Sequence, residues 1–284
     1  MSTAIPTRVG VLGGGRMGAG IAHAFLISGA SVTVVERDPQ TAQAARERIE
    51  SDLAKSLERG KIDGNLDVWA QHLSVSLDYA DFGACELVIE AVPEDRDLKA
   101  AALSEVESHV GAGAWLASNT SSLSITDLAA SLRRPERFCG LHFFNPVPAS
   151  KLVEVVLGGA TGEELAKLSR GWVEGLNKTA VVVHDAPGFA SSRLGVAIGL
   201  EAIRMVEEGV ASAEDIDNAM VLGYRYPMGP LALTDVVGLD VRLGIAEHLR
   251  RELGERFAPP QLLRDKVARG ELGRKSGKGF FDYS

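Results

Sequence analysis

Arg8-Val9-Gly10-Val11-Leu12-Gly13-Gly14-Gly15-Arg16-Met17-Gly18 is a short apolar run that breaks into a glycine-rich loop. The run predicts a buried strand over 8–12, and the residues after the loop predict a helix over 17–28. Within the loop, Gly13-x-Gly15-x-x-Gly18 has the spacing that a dinucleotide site needs. The first glycine permits a tight turn, the second lets a pyrophosphate approach the backbone, and the third lets helix and strand pack closely. The start of the helix then offers unpaired N–H groups and a positive dipole end to the phosphates. Such a triplet is weak evidence alone. Here a strand precedes it, a helix follows it, and a second Val-rich strand, 31–36, ends in the acid Glu36 about 20 residues further on. That carboxylate can accept from both hydroxyls of an adenosine ribose. The expected cofactor contacts are therefore Gly13, Gly15, Arg16, Met17, Gly18 and Glu36. Glu36 favours NAD, because a 2′-phosphate would meet its charge. Arg37 beside it offers a cation to such a phosphate and leaves NADP open. FAD shares the fingerprint, but the residues described below suit hydride transfer to a nicotinamide better.

Outward from the loop, short apolar runs alternate with helical patterns. Strands are predicted over 8–12, 31–36, 72–77, 86–92, 114–118, 137–143, 152–157 and 179–184, most of them rich in valine, as strands buried on both faces are. Asp38-Pro39 is a helix start, with Asp as cap and Pro in the first turn, and strong helix formers follow over 41–58. Alternating strands and helices imply an α/β fold with a Rossmann-type, doubly wound sheet. The pattern changes at Asp185-Ala186-Pro187-Gly188, which is turn chemistry. Beyond it only helices are predicted: 189–208, 213–222, 230–237, 240–252 and 260–269. Ser212 followed by Asp215 resembles a capping box. The chain thus divides into a sheet domain, 1–185, and an all-α domain, 186–284. The segment 189–205 is apolar on most faces, which suits a helix packed inside a domain or against another subunit.

Composition narrows the function. A formal net charge of −8 over 284 residues argues against a nucleic-acid partner, whose phosphates need a basic surface. The two cysteines, Cys85 and Cys139, sit in apolar runs and read as reduced core residues. No cluster of metal-ligand type is visible, so no metal is expected. The sequence also offers no 18-residue apolar run and no targeting segment before the first strand, which leads to the expectation of a soluble, cytoplasmic protein with no membrane partner.

Ligands of open α/β sheets bind beyond the carboxyl ends of the strands. Of six histidines, two end strands: His142 in Gly-Leu-His-Phe-Phe-Asn-Pro and His184 in Val-Val-Val-His-Asp. His23, His109 and His248 read as structural, and His72 begins a strand. Context favours His142. Asn145-Pro146 follows it, and Glu154 lies in the apolar strand Leu152-Val153-Glu154-Val155-Val156. A carboxylate in such a strand needs a partner, since burying it unpaired is costly; a nearby histidine would serve. Alternatively, Glu154 faces water at a strand edge. Ser118-Asn119-Thr120-Ser121-Ser122 is a second polar cluster after a strand. It is either a place to hold a hydroxyl against substrate or cofactor, or the cap of a helix over 123–132.

These residues together resemble the short-chain L-3-hydroxyacyl-CoA dehydrogenases, of the 3-hydroxybutyryl-CoA dehydrogenase kind. The resemblance runs through the whole chain. It rests on the glycine loop, Ser118–Ser122, Gly140-Leu-His-Phe-Phe-Asn-Pro-Val-Pro148, Lys151-Leu-Val-Glu-Val155, Pro187-Gly-Phe189, Tyr226-Pro-Met-Gly-Pro230 and Gly273-Arg-Lys-Ser-Gly-Lys-Gly-Phe280. It implies a Rossmann domain followed by a helical domain that dimerises, and hence a homodimer. It implies that His142 is the general base and Glu154 its orienting partner. Ser121 would contact substrate and cofactor, and Asn145 would hold the nicotinamide side. Glu94, Lys99 and Lys275 would line the NAD site with Glu36. From the sequence alone, Glu94 and Lys99 read only as a solvated helix start. The acyl-CoA substrate would meet Lys55 and Arg59 on the helical segment 49–61, a looser match that a charged helix face explains equally well. The family has an asparagine shortly after Pro-Gly-Phe where this chain has Ser192, which keeps a donor and an acceptor but loses reach.

The leading reading is thus NAD-dependent interconversion of an L-3-hydroxyacyl-CoA, of the 3-hydroxybutyryl kind, and its 3-ketoacyl-CoA. A second keeps the architecture but takes a free hydroxy acid, gulonate- or carnitine-like. A third, of another class, is a dinucleotide-binding structural or regulatory protein without turnover; the Ser121, His142, Asn145 and Glu154 set argues against it.

Overall fold

A computed structural model describes residues 5–283 of the chain. They form two compact units that divide between Ala186 and Pro187.

The first unit is built on one eight-stranded sheet. In chain order its elements are β1 (Arg8–Leu12), α1 (Arg16–Leu26), β2 (Ser31–Val35), α2 (Pro39–Glu58), α3 (Leu66–Ala70), β3 (Leu73–Ser76), β4 (Leu87–Glu90), α4 (Arg96–His109), β5 (Trp115–Ser118), α5 (Ile125–Ala129), β6 (Phe138–Phe143), β7 (Leu152–Leu157), α6 (Glu163–Gly175) and β8 (Thr179–His184). The strand order is β3-β2-β1-β4-β5-β6-β7-β8. All neighbours pair in parallel except β6 and β7, where a short link reverses the chain. β1 lies between β2 and β4, so the order of strands reverses there and a crevice opens beyond the carboxyl ends of β1 and β4. Val9, Val11, Val32, Val34, Leu87 and Ile89 are fully buried, because helices cover both faces of the sheet. Asp38 caps α2 by accepting from Thr41 N at 2.8 Å.

The α5 region departs from the expectation. The helix predicted over 123–132 shortens to Ile125–Ala129, and its cap is Ser124, which accepts from Asp127 N. The hydroxyls of 120–122 turn instead to a carboxylate, as described below.

The second unit is helical: α7 (Ser191–Glu207), α8 (Ala213–Asn218), α9 (Pro230–Val237), α10 (Leu239–Leu253) and α11 (Gln261–Ala268). α7 begins later than predicted because Gly188 and Phe189 take φ of +75° and +48°, which no helix continues through. Nor is it buried all round. It hides the stripe Val196, Gly199, Leu200 and Ile203 and leaves Leu194 63% exposed. α8 also ends early, passing into a wider π-type turn over Ala219–Gly223. Asp217 holds the start of α9 through Leu231 N and Ala232 N, both at 2.8 Å. Asp235, buried on α9, accepts from Phe280 N, Phe281 N and Tyr283 Oη and so fixes the C-terminal segment.

No helix among the described residues is long and apolar enough to cross a membrane. Cys85 and Cys139 are free and buried, and burial pushes both thiols up, to about 11 and about 12.

Candidate active site

The glycine loop sits at the reversal point of the sheet. Gly13 has φ +89°, a conformation that favours glycine. A side chain at Gly18 would collide with the Gly13 carbonyl oxygen, whereas the Cβ position of Gly15 faces open space. The loop therefore leaves a gap where a ligand's phosphates can approach the first turn of α1. That gap belongs to a cavity of about 560 Å³, bordered by Gly13, Gly15, Arg16, Met17, Glu36 and Thr41. Glu36 follows β2, and its Oε1 accepts from Gly14 N at 2.6 Å, so the carboxylate is fixed against the loop. Arg37 also borders the cavity but turns to Asp38, with Nε–Oδ2 at 3.0 Å. The cavity thus presents an anchored carboxylate beside a cation already paired with an acid, which fits a free 2′-hydroxyl better than a 2′-phosphate.

Beyond β4 and β5 lies a connected set of charges and hydroxyls. Lys99 is 1% exposed, and its Nζ meets Glu90 Oε1 at 2.7 Å, Val92 O at 3.0 Å and Glu94 Oε2 at 3.3 Å. Three acceptors use all the donors of an ammonium. The reading of Lys99 as part of a solvated helix start is therefore wrong: local composition there is polar, but the ammonium folds back onto the buried end of β4, while Glu94 keeps 37% of its side chain exposed. Glu94 in turn accepts from Thr120 Oγ1 at 2.7 Å, Ser121 N at 2.8 Å and Ser121 Oγ at 3.1 Å, with Ser122 N and Oγ close behind. Burial works to raise the Glu94 carboxyl, but Lys99 and the bonds from Thr120 and Ser121 outweigh it and hold it below its ordinary range. Glu90 completes the set by accepting from Ser118 Oγ at 2.6 Å and Val92 N at 2.6 Å. Sequence reasoning missed Glu90. Its signal was the one used for Glu154: an acid in an apolar strand. Lys99→Met would leave the Glu90 carboxylate buried without its cation. The expected loss is about 3–5 kcal/mol of stability, read as a lower urea midpoint; an unchanged midpoint would remove the pair's structural role.

β6 and β7 place His142 and Glu154. Their antiparallel register sets His142 directly opposite Glu154, so the two side chains share a face. His142 Nδ1 meets Glu154 Oε2 at 2.8 Å, with the histidine 6% exposed and the glutamate fully buried. The contact selects the tautomer with the proton on Nδ1, which makes Nε2 the acceptor nitrogen of the ring. Phe144 packs against the imidazole, ring centroids 4.4 Å apart. Asn119 Oδ1 accepts from Phe143 N at 2.9 Å, which ties the Ser118–Ser122 loop to the strand of His142. Asn145 is exposed and precedes a cis peptide bond to Pro146. The loop after it is held by Lys178, whose Nζ donates to Val147 O at 2.7 Å and Ser150 O at 2.6 Å; no short-range pattern marks Lys178.

Comparison with known proteins bears directly on this arrangement. Residues 8–186 match the model of the 3-hydroxyacyl-CoA dehydrogenase NAD binding domain, and residues 188–283 match that of the 3-hydroxyacyl-CoA dehydrogenase C-terminal domain. The chain belongs to the 3-hydroxyacyl-CoA dehydrogenase family. It is 42% identical to a probable 3-hydroxybutyryl-CoA dehydrogenase of Deinococcus radiodurans, over 97% of this chain and 100% of that one. It is 43% identical to the 3-hydroxybutyryl-CoA dehydrogenase of Mycobacterium tuberculosis over the full length of both. The solved structure of (S)-3-hydroxybutyryl-CoA dehydrogenase PaaH1 from Ralstonia eutropha superposes with a TM-score of 0.93 at 38% identity, covering 98% of this chain and 99% of that one.

Among the other residues that the family resemblance singles out, Lys55 borders a second, polar cavity of about 350 Å³ with Arg16, Arg48, Ser51 and Asp52. Its Nζ pairs with Asp52 at 3.2 Å. Arg59 ends α2 as its C-terminal cap residue and is exposed. The remaining two lie in the helical unit. Lys275 is ion-paired with Asp240, at 2.7 Å to Oδ2, and Ser192 stands in the first turn of α7. His184 is exposed at the end of β8, while His23 is buried on α1 and bonds Ser56 Oγ at 2.8 Å.

Proposed function

We propose that this chain is an NAD-dependent dehydrogenase that interconverts an L-3-hydroxyacyl-CoA, of the 3-hydroxybutyryl kind, and the 3-ketoacyl-CoA. One observation carries the reading: a buried histidine held tautomer-fixed by a buried glutamate, on the sheet whose reversal point bears the glycine loop. The curated relatives name the same activity.

NAD, when bound, supplies the hydride acceptor for substrate C3. The chain's own residues handle the proton. In oxidation, His142 Nε2 takes it from the C3 hydroxyl as the carbonyl forms. The new imidazolium is stabilised by the Glu154 carboxylate, which needs no proton of its own. In reduction the same atom returns the proton to the developing alkoxide. Histidine suits both directions because its ordinary pKa lies near neutrality. Ser121, held by Glu94 through both N and Oγ, presents its hydroxyl for substrate and cofactor, and Asn145 contacts the nicotinamide side. Glu36 and the loop residues hold the dinucleotide, with Glu94, Lys99 and Lys275 as further contributors. Lys99 acts through Glu90 and Glu94, since its donors are already used. Lys55 and Arg59 offer cations to the CoA phosphates, and Ser192 binds near the thioester.

In this reading, residues 1–185 bind NAD and 186–284 supply substrate contacts and a homodimer interface. Support for the interface is apolar surface on the helical unit, including Leu194, Leu222 and Val241 at 63%, 78% and 45% exposure. A cytoplasmic location accords with the free, buried cysteines. The test is a panel of NADH and NADPH crossed with acetoacetyl-CoA and free acetoacetate. NADH oxidation that depends on acetoacetyl-CoA, with NADPH and the free acid at least about tenfold poorer in kcat/KM, is the expected result. Equal rates on the free acid would overturn the CoA assignment.

A further inference from the structure

Just past His142 the chain leaves β6 for the link 144–151, which carries Asn145 and returns as β7. Within the link, Pro146 O accepts from Ala149 N and Ser150 N, each at 3.0 Å. Val147 seats it against α1: the Val147 Cβ stands 2.8 Å from the Cβ position of Gly20, so a side chain there would displace it. Two of the link's carbonyls are gathered by one side chain. Lys178, just before β8, sends its Nζ to Val147 O at 2.7 Å and Ser150 O at 2.6 Å. This hold is costly to keep. Lys178 is half-buried, and the charges acting on it are both cations, Lys151 from the link and Lys61 after α2. His23, buried on α1, is the other titratable group that feels it, and it too would be a cation when charged. Burial, with the two lysines, pushes the Lys178 ammonium down to about 8. A buried cation is normally paired with an acid; here its partners are two carbonyl dipoles on the segment that follows His142. Groups perturbed in this way gather at functional sites.

We propose that Lys178 is a positioning residue of the reaction: its ammonium fixes the link 144–151 and so holds Asn145 in place relative to His142. The proposal rests on the placing of Asn145 at the nicotinamide in the function proposed above. An ammonium donates to both carbonyls with charge-assisted strength, whereas a neutral amine keeps hydrogens to donate but loses that strength. Reaction rates fall steeply when the reacting groups are misplaced, so a looser link costs rate rather than substrate affinity.

The test is the pH profile of kcat/KM for oxidation of 3-hydroxybutyryl-CoA by NAD, in wild type, K178R and K178M. In this direction His142 must be neutral, so the rate rises with pH as His142 loses its proton. Lys178 acts with the opposite sign: its hold is whole at lower pH and weakens as the pH passes about 8. The wild type should therefore show an alkaline limb near that pH, with a fall of about tenfold. K178R, charged throughout, should keep the plateau and lose that limb. K178M should be about tenfold low in kcat at neutral pH, with KM for the acyl-CoA within about twofold of wild type and no such limb. Backbone hydrogen exchange over 144–151 should quicken in K178M and stay slow in K178R. A wild-type profile flat above neutrality, a limb that persists in either variant, or a normal kcat in K178M overturns the proposal. So does a lower melting temperature with kcat unchanged, which marks a structural role. If K178M does not fold, the wild-type limb and K178R decide. Wild-type protein without turnover overturns the dehydrogenase reading and takes the proposal with it; turnover with an unmoved limb overturns the proposal alone.

Discussion

Replacing His142 with alanine should lower kcat by about 10²- to 10⁴-fold, the range a positioned general base contributes, while NAD affinity stays within about twofold of wild type. The two halves of this expectation come from different places in the sheet. The dinucleotide cavity is bordered by β1, β2 and the segment after β4, and His142 is not among its lining residues. The base belongs to β6 and is oriented by β7. Alanine also removes the His142 hydrogen bond from Glu154, whose carboxylate is fully buried, so the variant should lose stability as well as rate. The two losses are separable: turnover per folded enzyme is measured well below the variant's own melting temperature. His142→Gln is the sharper control, since an amide at this position can still donate to Glu154 but cannot exchange the proton. If either variant retains near-normal kcat, the proton passes through another group and His142 is not the base.

Much of this site is legible in the amino-acid sequence, and the reasons are physical. The eight strands are short, Val-rich runs bounded by turn residues, and each appears where predicted, with ends trimmed by one or two residues where backbone pairing stops. The glycine loop is legible because its geometry is nearly all backbone: the positive φ at Gly13 and the close approach at Gly18 admit little else. Side chains that depend on long-range partners are not legible in this way. Lys99 stands in Glu94-Asp95-Arg96-Asp97-Leu98-Lys99, a stretch whose composition says water, yet it is buried because Glu90 waits at the end of a strand nine residues earlier. Ser121 and Ser122 look like helix caps until Glu94, from a different loop, takes their hydrogen bonds. The pairing of His142 with Glu154 falls between these cases. Each is conspicuous in its own strand, but the antiparallel turn that sets them opposite one another is visible only in the sheet.

Gly18→Ala and Gly15→Ala should both defeat NAD binding, and by different routes that one pair of measurements separates. At Gly18 the added methyl would run into the Gly13 carbonyl, with the Val11 side chain 3.2 Å away on another side. Backbone cannot yield as a flexible side chain can, so the loop must distort, at a cost of about 1–3 kcal/mol or more. That cost falls on the folded protein with or without ligand, and the melting temperature of the unliganded variant should drop. At Gly15 the situation is reversed. Its φ of −59° is open to alanine, and the Cβ position meets no protein atom within 4 Å. The free protein should therefore melt as the wild type does. The methyl would instead stand in the gap left for the pyrophosphate, and NAD affinity should fall by about 10²-fold from lost close approach alone. Thermal melts without ligand, set beside NADH titrations followed by fluorescence, distinguish the two variants. If Gly15→Ala binds NADH normally, phosphate does not approach the backbone there, and the cofactor enters the cavity by some other part of the loop.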